Sequence, residues 1–331
     1  MEVAFQVVTL VRMSEEVGAR FSLPAGDGEG AMLGLAAGDA AGGDFEGGYA
    51  ASTQQAVVVA YHLFRHGRLD RELLGAELAD LDGDEQDPSV LRGASPGLRR
   101  WLDSVRSGEV VYSSESGLDP AVRVAPVGMW FRRRPEDLIE AALETSRLTH
   151  LDGPSAVLTT SVAAAVAAGC FAQNGRDLMM AVRDVAQQTA GKIRSESLRY
   201  ARTDGIDDVV DRLASTIDMV GAPPAEIAQA LGSDPIGLAV SGMIVAAPVE
   251  AEPHRLIEAA VQIGGSPVGA IAGAIVGARV GIRRWQWIVP NDTWFVAMGQ
   301  RLVAGRTDLM DLPVPYAVEQ RLTYETHPQP I

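Results

Sequence analysis

Glycine recurs at every fourth position in the apolar stretch Val268–Ile282, as Gly269, Gly273, Gly277 and Gly281. On a helix this spacing places all four on one face. Each costs about 1 kcal/mol relative to alanine in a helix interior. The stripe is therefore expected only where another helix or backbone comes too close for a side chain. Composition points the same way. Apolar residues make up 47% of the chain and aromatics only 5%, so Ala, Val, Leu and Ile must fill the core. A core of small residues implies closely packed helices. The 331 residues are long for one ordinary domain but within reach of a single large helical one.

Periodicity and punctuation fill in the rest. Thr53 to His66 is apolar enough for a buried helix, and Gly67 stops it. Pro135 opens another, with Glu136 and Asp137 in a first turn that favours acids. Leu138, Ile139, Ala142 and Leu143 form its apolar face. Pro154 precedes Ser155–Phe171, apolar all round and so expected at the centre. Helical patterns recur at 176–190, 206–219, 224–231, 236–247 and 253–263. Ser95 to Gly128 reads as irregular, with a short helix near Leu98–Val105 and extended pieces at Glu109–Tyr112 and Ala121–Pro126. Six acids within 77–87 lack the spacing of a calcium loop and read as a solvated loop. The expected fold class is all-α. It comprises a preface at 1–28, a single helical domain at 29–305 and an irregular tail at 306–331.

Charge and cysteine usage exclude several partners. The formal net charge of −15 opposes binding to nucleic acid phosphates. The one dense basic cluster, Arg132 to Arg134, reads as a solvated rim. Cys170 is the single cysteine, so no internal disulfide or cysteine-based zinc site can form, and a buried thiol is expected. The apolar run Val3–Val11 has neither a basic region before it nor a cleavage site after it. Ala156–Phe171 and Val268–Ile282 are too short to span a bilayer, and the second contains Arg279. A cytoplasmic protein with no nucleic acid and no membrane partner is the expectation.

Four segments carry chemical information. The first is Gly30-Ala31-Met32-Leu33-Gly34-Leu35-Ala36-Ala37-Gly38-Asp39-Ala40, followed by Gly42 and Glu46. The second is Tyr49-Ala50-Ala51-Ser52-Thr53-Gln54. The third is Val122-Arg123-Val124-Ala125-Pro126-Val127-Gly128, with Thr149-His150-Leu151-Asp152-Gly153-Pro154 after it. The fourth is Gly264-Gly265-Ser266-Pro267-Val268-Gly269-Ala270-Ile271-Ala272-Gly273-Ala274. Taken in order, they resemble the ADP-ribosylglycohydrolase family, which removes ADP-ribose from proteins and related acceptors.

The resemblance implies a helical fold and a two-magnesium site, and here the metal-binding motifs differ. The family writes Thr-Asp-Asp-Thr in the second segment, where this chain has Ala51 and Ser52 at the aspartates. It writes Gly-Gly-Asp-Thr-Asp-Thr before the glycine helix. An ungapped match puts Gly264 and Ser266 at those aspartates, whereas matching the paired glycines requires a deletion. No carboxylate remains in either case, so the magnesium ions are expected to be lost.

Several site residues follow from the resemblance. Ser52, Thr53, Arg123, Gly264, Gly265 and Ser266 are the candidates for ligand binding, with Arg123 meeting either a phosphate or a structural ion-pair partner. Asp39 is expected to cap or brace the first motif helix. Glu46, His150 and Asp152 are the candidates for any metal-free acid–base chemistry. Three functional readings stand. The first is a pseudoenzyme that binds ADP-ribose, another nucleotide or a protein partner without metal. The second is a hydrolase of altered, magnesium-independent chemistry. The third is an assembly protein that reuses the fold.

Overall fold

A computed structural model describes residues 28–43, 48–81, 90–248, 252–282, 289 and 291–307. The elements are α1 (Ala31–Ala41), α2 (Ala51–His66), α3 (Arg71–Leu81), α4 (Pro96–Ser107), α5 (Asp119–Val122), α6 (Ala125–Trp130) and α7 (Pro135–Arg147). They continue with α8 (Gly153–Gly169), α9 (Gly175–Ser195), α10 (Ile206–Ser215), α11 (Pro224–Leu231), α12 (Pro235–Ala246), α13 (Pro253–Val280) and α14 (Asp292–Ala304). Single 3-10 turns lie at Ser197–Arg199 and Ile217–Met219. The described residues contain no strand, only isolated bridges between Ser113 and His150 and between Asp152 and Arg202. The fold is all-α, as the sequence implies.

The glycine stripe finds its partner in the first motif. Helix α1 runs antiparallel to the second half of α13, glycine against glycine. A Cβ on Gly38 would lie 1.9 Å from the Gly269 carbonyl oxygen. One on Gly273 would lie 1.9 Å from that of Gly34, and one on Gly277 2.1 Å from that of Gly30. The two backbones pack here with no side chain between them. Dispersion attraction across this close approach offsets the helix cost of glycine.

Helix α8 is the central one, with nearly every residue buried, and it packs against α5 through α7, α9, α10, α12 and α13. Helix α13 breaks at Gly264 and Gly265, the latter at φ 68, and restarts through Pro267. This break separates the pattern at 253–263 from the glycine stripe. By length and composition alone, α13 is the one described helix that could cross a bilayer. Its apolar half, from Val268 to Ala278, is instead buried within the fold. Cys170 is buried, as expected, with its thiol near the Val166 carbonyl.

Three local expectations change. Ala121–Pro126 is helical rather than extended, because Pro120 and Pro126 open the short helices α5 and α6. Glu109–Tyr112 forms no strand. The chain turns out of α4 there, and Val110 and Val111 are exposed. Glu77 and Asp80 belong to α3 rather than a loop. Leu74, Leu78 and Leu81 form its buried face, which the surrounding acids masked in the sequence. Residues 82–87 lie outside the described residues.

Candidate functional site

Asp39 sits near the end of α1 and is fully buried. Its Oδ2 accepts hydrogen bonds from Ala50 N at 2.8 Å, Thr53 N at 2.9 Å and the Thr53 hydroxyl at 2.7 Å. Ala50, at the N-cap of α2, has no side chain able to cap, so a carboxylate from another helix serves instead. The Ser266 hydroxyl donates to Oδ1. Asp39 thus braces more than its own helix. It ties the first, second and fourth motifs into one polar node.

Arg123, at the end of α5, is also fully buried. It donates to Gln55 Oε1 at 3.0 Å, the Thr145 carbonyl at 2.9 Å and the Thr149 hydroxyl at 2.7 Å. Burial lowers its pKa to about 10, with Asp119 opposing the shift, so it remains charged at neutral pH. Thr149 lies 2.8 Å from His150 Nδ1. Arg123 can only donate, so the Thr149 hydroxyl accepts from it and keeps its own proton for Nδ1 in the tautomer that carries the His150 proton on Nε2. Burial, reinforced by the Arg123 charge, lowers the His150 pKa to about 3. The imidazole is neutral at physiological pH.

The segment carrying His150 and Asp152 is clamped on both sides. Ser113 N bonds the Thr149 carbonyl at 2.8 Å, and Ala201 N bonds that of Leu151 at 2.7 Å. Asp152 is the N-cap of α8 and accepts from Ser155 N at 2.8 Å and from the Ser116 hydroxyl at 3.1 Å. Among the described residues its Oδ2 is buried without a hydrogen-bond partner. Burial raises its pKa despite these partners.

A cleft of about 370 Å³ opens beside both clusters. Of the sequence candidates, Ser52 and His150 face it. Thr53, Arg123 and Asp152 are buried outside its lining, and Gly264, Gly265 and Ser266 form the break in α13 next to Pro267, which does face it. Glu46 lies outside the described residues.

Sequence reasoning passed over Asp119, which also lines the cleft. Its Oδ2 accepts from the Ser95 hydroxyl at 2.6 Å. Burial raises its pKa, while Ser95 and the Arg123 charge act against the shift. Its one sequence signal was an acid before a proline at a helix start, four residues ahead of Arg123.

A second polar cluster lies away from the cleft, where His62, His66 and Glu77 bring potential metal-ligating atoms within 4.8 Å of one another. Asp70 N donates to His62 Nε2 at 2.9 Å, so the proton resides on Nδ1, which donates to Glu77 Oε2 at 2.8 Å. A cation on Nδ1 would push that proton to Nε2, facing the Asp70 N–H donor. The cluster is wired as a tie between α2 and α3.

The sequence and the fold find counterparts among known proteins. The ADP-ribosylglycohydrolase family model matches residues 28–313. The chain belongs to the ADP-ribosylglycohydrolase family. A solved structure titled "ADP-ribosylglycohydrolase-related protein complex" superposes with a TM-score of 0.56 at 19% identity, covering 84% of this chain and 96% of that one. At that identity the likeness concerns the fold alone. No curated protein matches the chain.

Proposed function

We propose that this family member is a pseudoenzyme whose cleft binds ADP-ribose or another nucleotide without metal. The observation that carries the reading is the engagement of Asp39. Both its oxygens are taken by Ala50, Thr53 and Ser266, in the two motifs where the resemblance locates the family's metal-binding aspartates. Magnesium requires near-octahedral oxygen ligands that include carboxylates. The positions matching the family's aspartates carry Ala51, Ser52, Gly264 and Ser266. Among the described residues the carboxylates that line the cleft are Glu115 and Asp119, and Ser95 already holds one oxygen of Asp119. Among the described residues, this set does not fit a pair of magnesium ions. His150 supports the same reading, since a base of pKa about 3 activates water poorly at neutral pH.

The test is calorimetric titration of the full chain with ADP-ribose, in magnesium and in EDTA. Micromolar binding of equal strength in both buffers is expected, with no turnover of an ADP-ribosylated protein. Magnesium-dependent hydrolysis would overturn the reading.

A further inference from the structure

An apolar pocket that shares no lining residue with the cleft lies among α7, α8 and α9. Its volume is about 60 Å³, and Leu138, Ala168, Phe171 and Ala181 are among its walls. Small-molecule sites usually run to roughly 300–1,000 Å³, so this one suits a single side chain rather than a free ligand. Arg132 and Asp177 also line it. Asp177 is already engaged, since Asn174 Nδ2 donates to its Oδ2 at 2.8 Å. Arg132 is half-buried and donates to the Met129 carbonyl at 3.1 Å. Arg133 is exposed, with its guanidinium 6.0 Å from the centre of the Phe171 ring. Among the described residues, neither arginine meets a carboxylate.

The point where residues 1–27 join the described fold lies beside this pocket. A Cβ on Gly28 would lie 3.3 Å from Cys170 Sγ. Phe171 follows Cys170 directly in the chain. Burial lowers the Arg132 pKa, and Cys170 is close enough to oppose that shift. Cys170 therefore adjoins both Gly28 and the arginine at the pocket. Residues 1–27 carry the two groups this face lacks, an apolar anchor and a pair of acids. Phe21 precedes Gly28 by seven positions, which extended chain spans over as much as about 25 Å. Glu15 and Glu16 lie just ahead of it. A half-buried guanidinium gains most from a carboxylate partner. A segment of the same chain also meets the pocket at an effective concentration on the order of millimolar, an advantage no separate partner has.

We propose that residues 15–21 of the same chain dock on this face, with the Phe21 ring in the pocket and Glu15 and Glu16 against Arg132 and Arg133. The surface formed by α7, α8 and α9 is then an internal docking site for the segment that leads into the first motif helix. It is independent of whatever the cleft binds.

Photo-crosslinking of the full chain, with p-benzoylphenylalanine in place of Phe21, tests it. After irradiation and digestion, mass spectrometry is expected to find Phe21 joined within one chain to peptides spanning residues 164–185. Ala181→Trp, which fills the pocket, is expected to lower the yield at least five-fold. So is the double change Arg132→Glu with Arg133→Glu, and adding Glu15→Arg with Glu16→Arg should restore at least half of the yield. Circular dichroism melting curves accompany each variant. If a pocket variant fails to fold, the crosslink map of the chain with its pocket unaltered still decides. Crosslinks elsewhere in the chain, no crosslink, or a yield unchanged by Ala181→Trp would overturn the proposal. Crosslinks joining two chains would overturn it in favour of a second copy on this face.

Discussion

Asp39 and Ser266 are 227 residues apart in the chain and joined by a hydrogen bond. The same carboxylate caps α2 through Thr53. One buried acid therefore fixes the start of α2 against the break in α13. An unpaired charge in this position would be costly, and the donors from Ala50, Thr53 and Ser266 offset that cost.

Asp39→Asn replaces one acceptor oxygen with an amide that must face donors. The expected loss is about 3 kcal/mol, since hydrogen bonds to charged groups are worth about 1.5–3 kcal/mol each and buried donors would be left unsatisfied. Ser266→Ala removes a single donor and should cost about 1 kcal/mol. Urea unfolding of both variants checks the ranking. Equal, small losses would show that the node bears little of the fold's stability.

Gly38→Ala drives a methyl group into the Gly269 carbonyl and is expected to cost about 3 kcal/mol or to prevent folding. Gly191→Ala in α9 is the control, because beyond its own turn of helix no described atom lies within 4 Å of the added Cβ. That change should stabilise by about 0.5–1 kcal/mol through helix propensity. Thermal melting of the pair separates close packing from a general dislike of substitution at glycine.

Acid should unfold the protein partly through His150. Its folded pKa of about 3 lies below the ordinary 6.5, so the unfolded chain takes up the proton first. Stability is then full above pH 6.5 and falls as pH drops toward 3, by at most about 1.4 kcal/mol per pH unit. Urea unfolding at pH 7 and pH 5 should show this loss in the wild type and a smaller one in His150→Asn. Identical losses would mean that His150 is not held neutral by the fold.

Glu77 works in the other direction on the acid scale. His62 and Arg65 hold its carboxyl below the ordinary range, against the effect of burial. Its contribution is present above pH 4.5 and disappears as pH falls through the lowered folded value. Glu77→Gln should therefore cost about 1 kcal/mol at pH 7 and progressively less below pH 4.5. Zinc titration followed by melting should leave the midpoint unchanged, because His62 Nε2 faces the Asp70 amide. A zinc-dependent rise would show that the cluster can rewire.

Much of the fold was legible because it is punctuated. Pro224–Leu231 is the helix expected at 224–231, opened by its proline. Gly67 ends α2 at φ 65, with its amide on the Leu63 carbonyl. The node was less legible. Asp39 read as a brace for its own helix, whereas its partners come from α2 and α13. Asp119 drew no notice, since neither its cleft exposure nor Ser95 beneath it is a property of neighbouring residues.

The sequence by itself determined the all-α class, the family and the close backbone approach at the glycine stripe. Those follow from local rules: helix period, the conformational cost of glycine, and short motifs read in order. Tertiary structure alone decided that the two glycine motifs pack on each other, that Asp39 bridges three segments, and that Arg123, Thr149 and His150 meet in one buried cluster. Hydrogen-bond partners and protonation states depend on groups brought together across as many as 227 residues, and no local pattern encodes such a meeting.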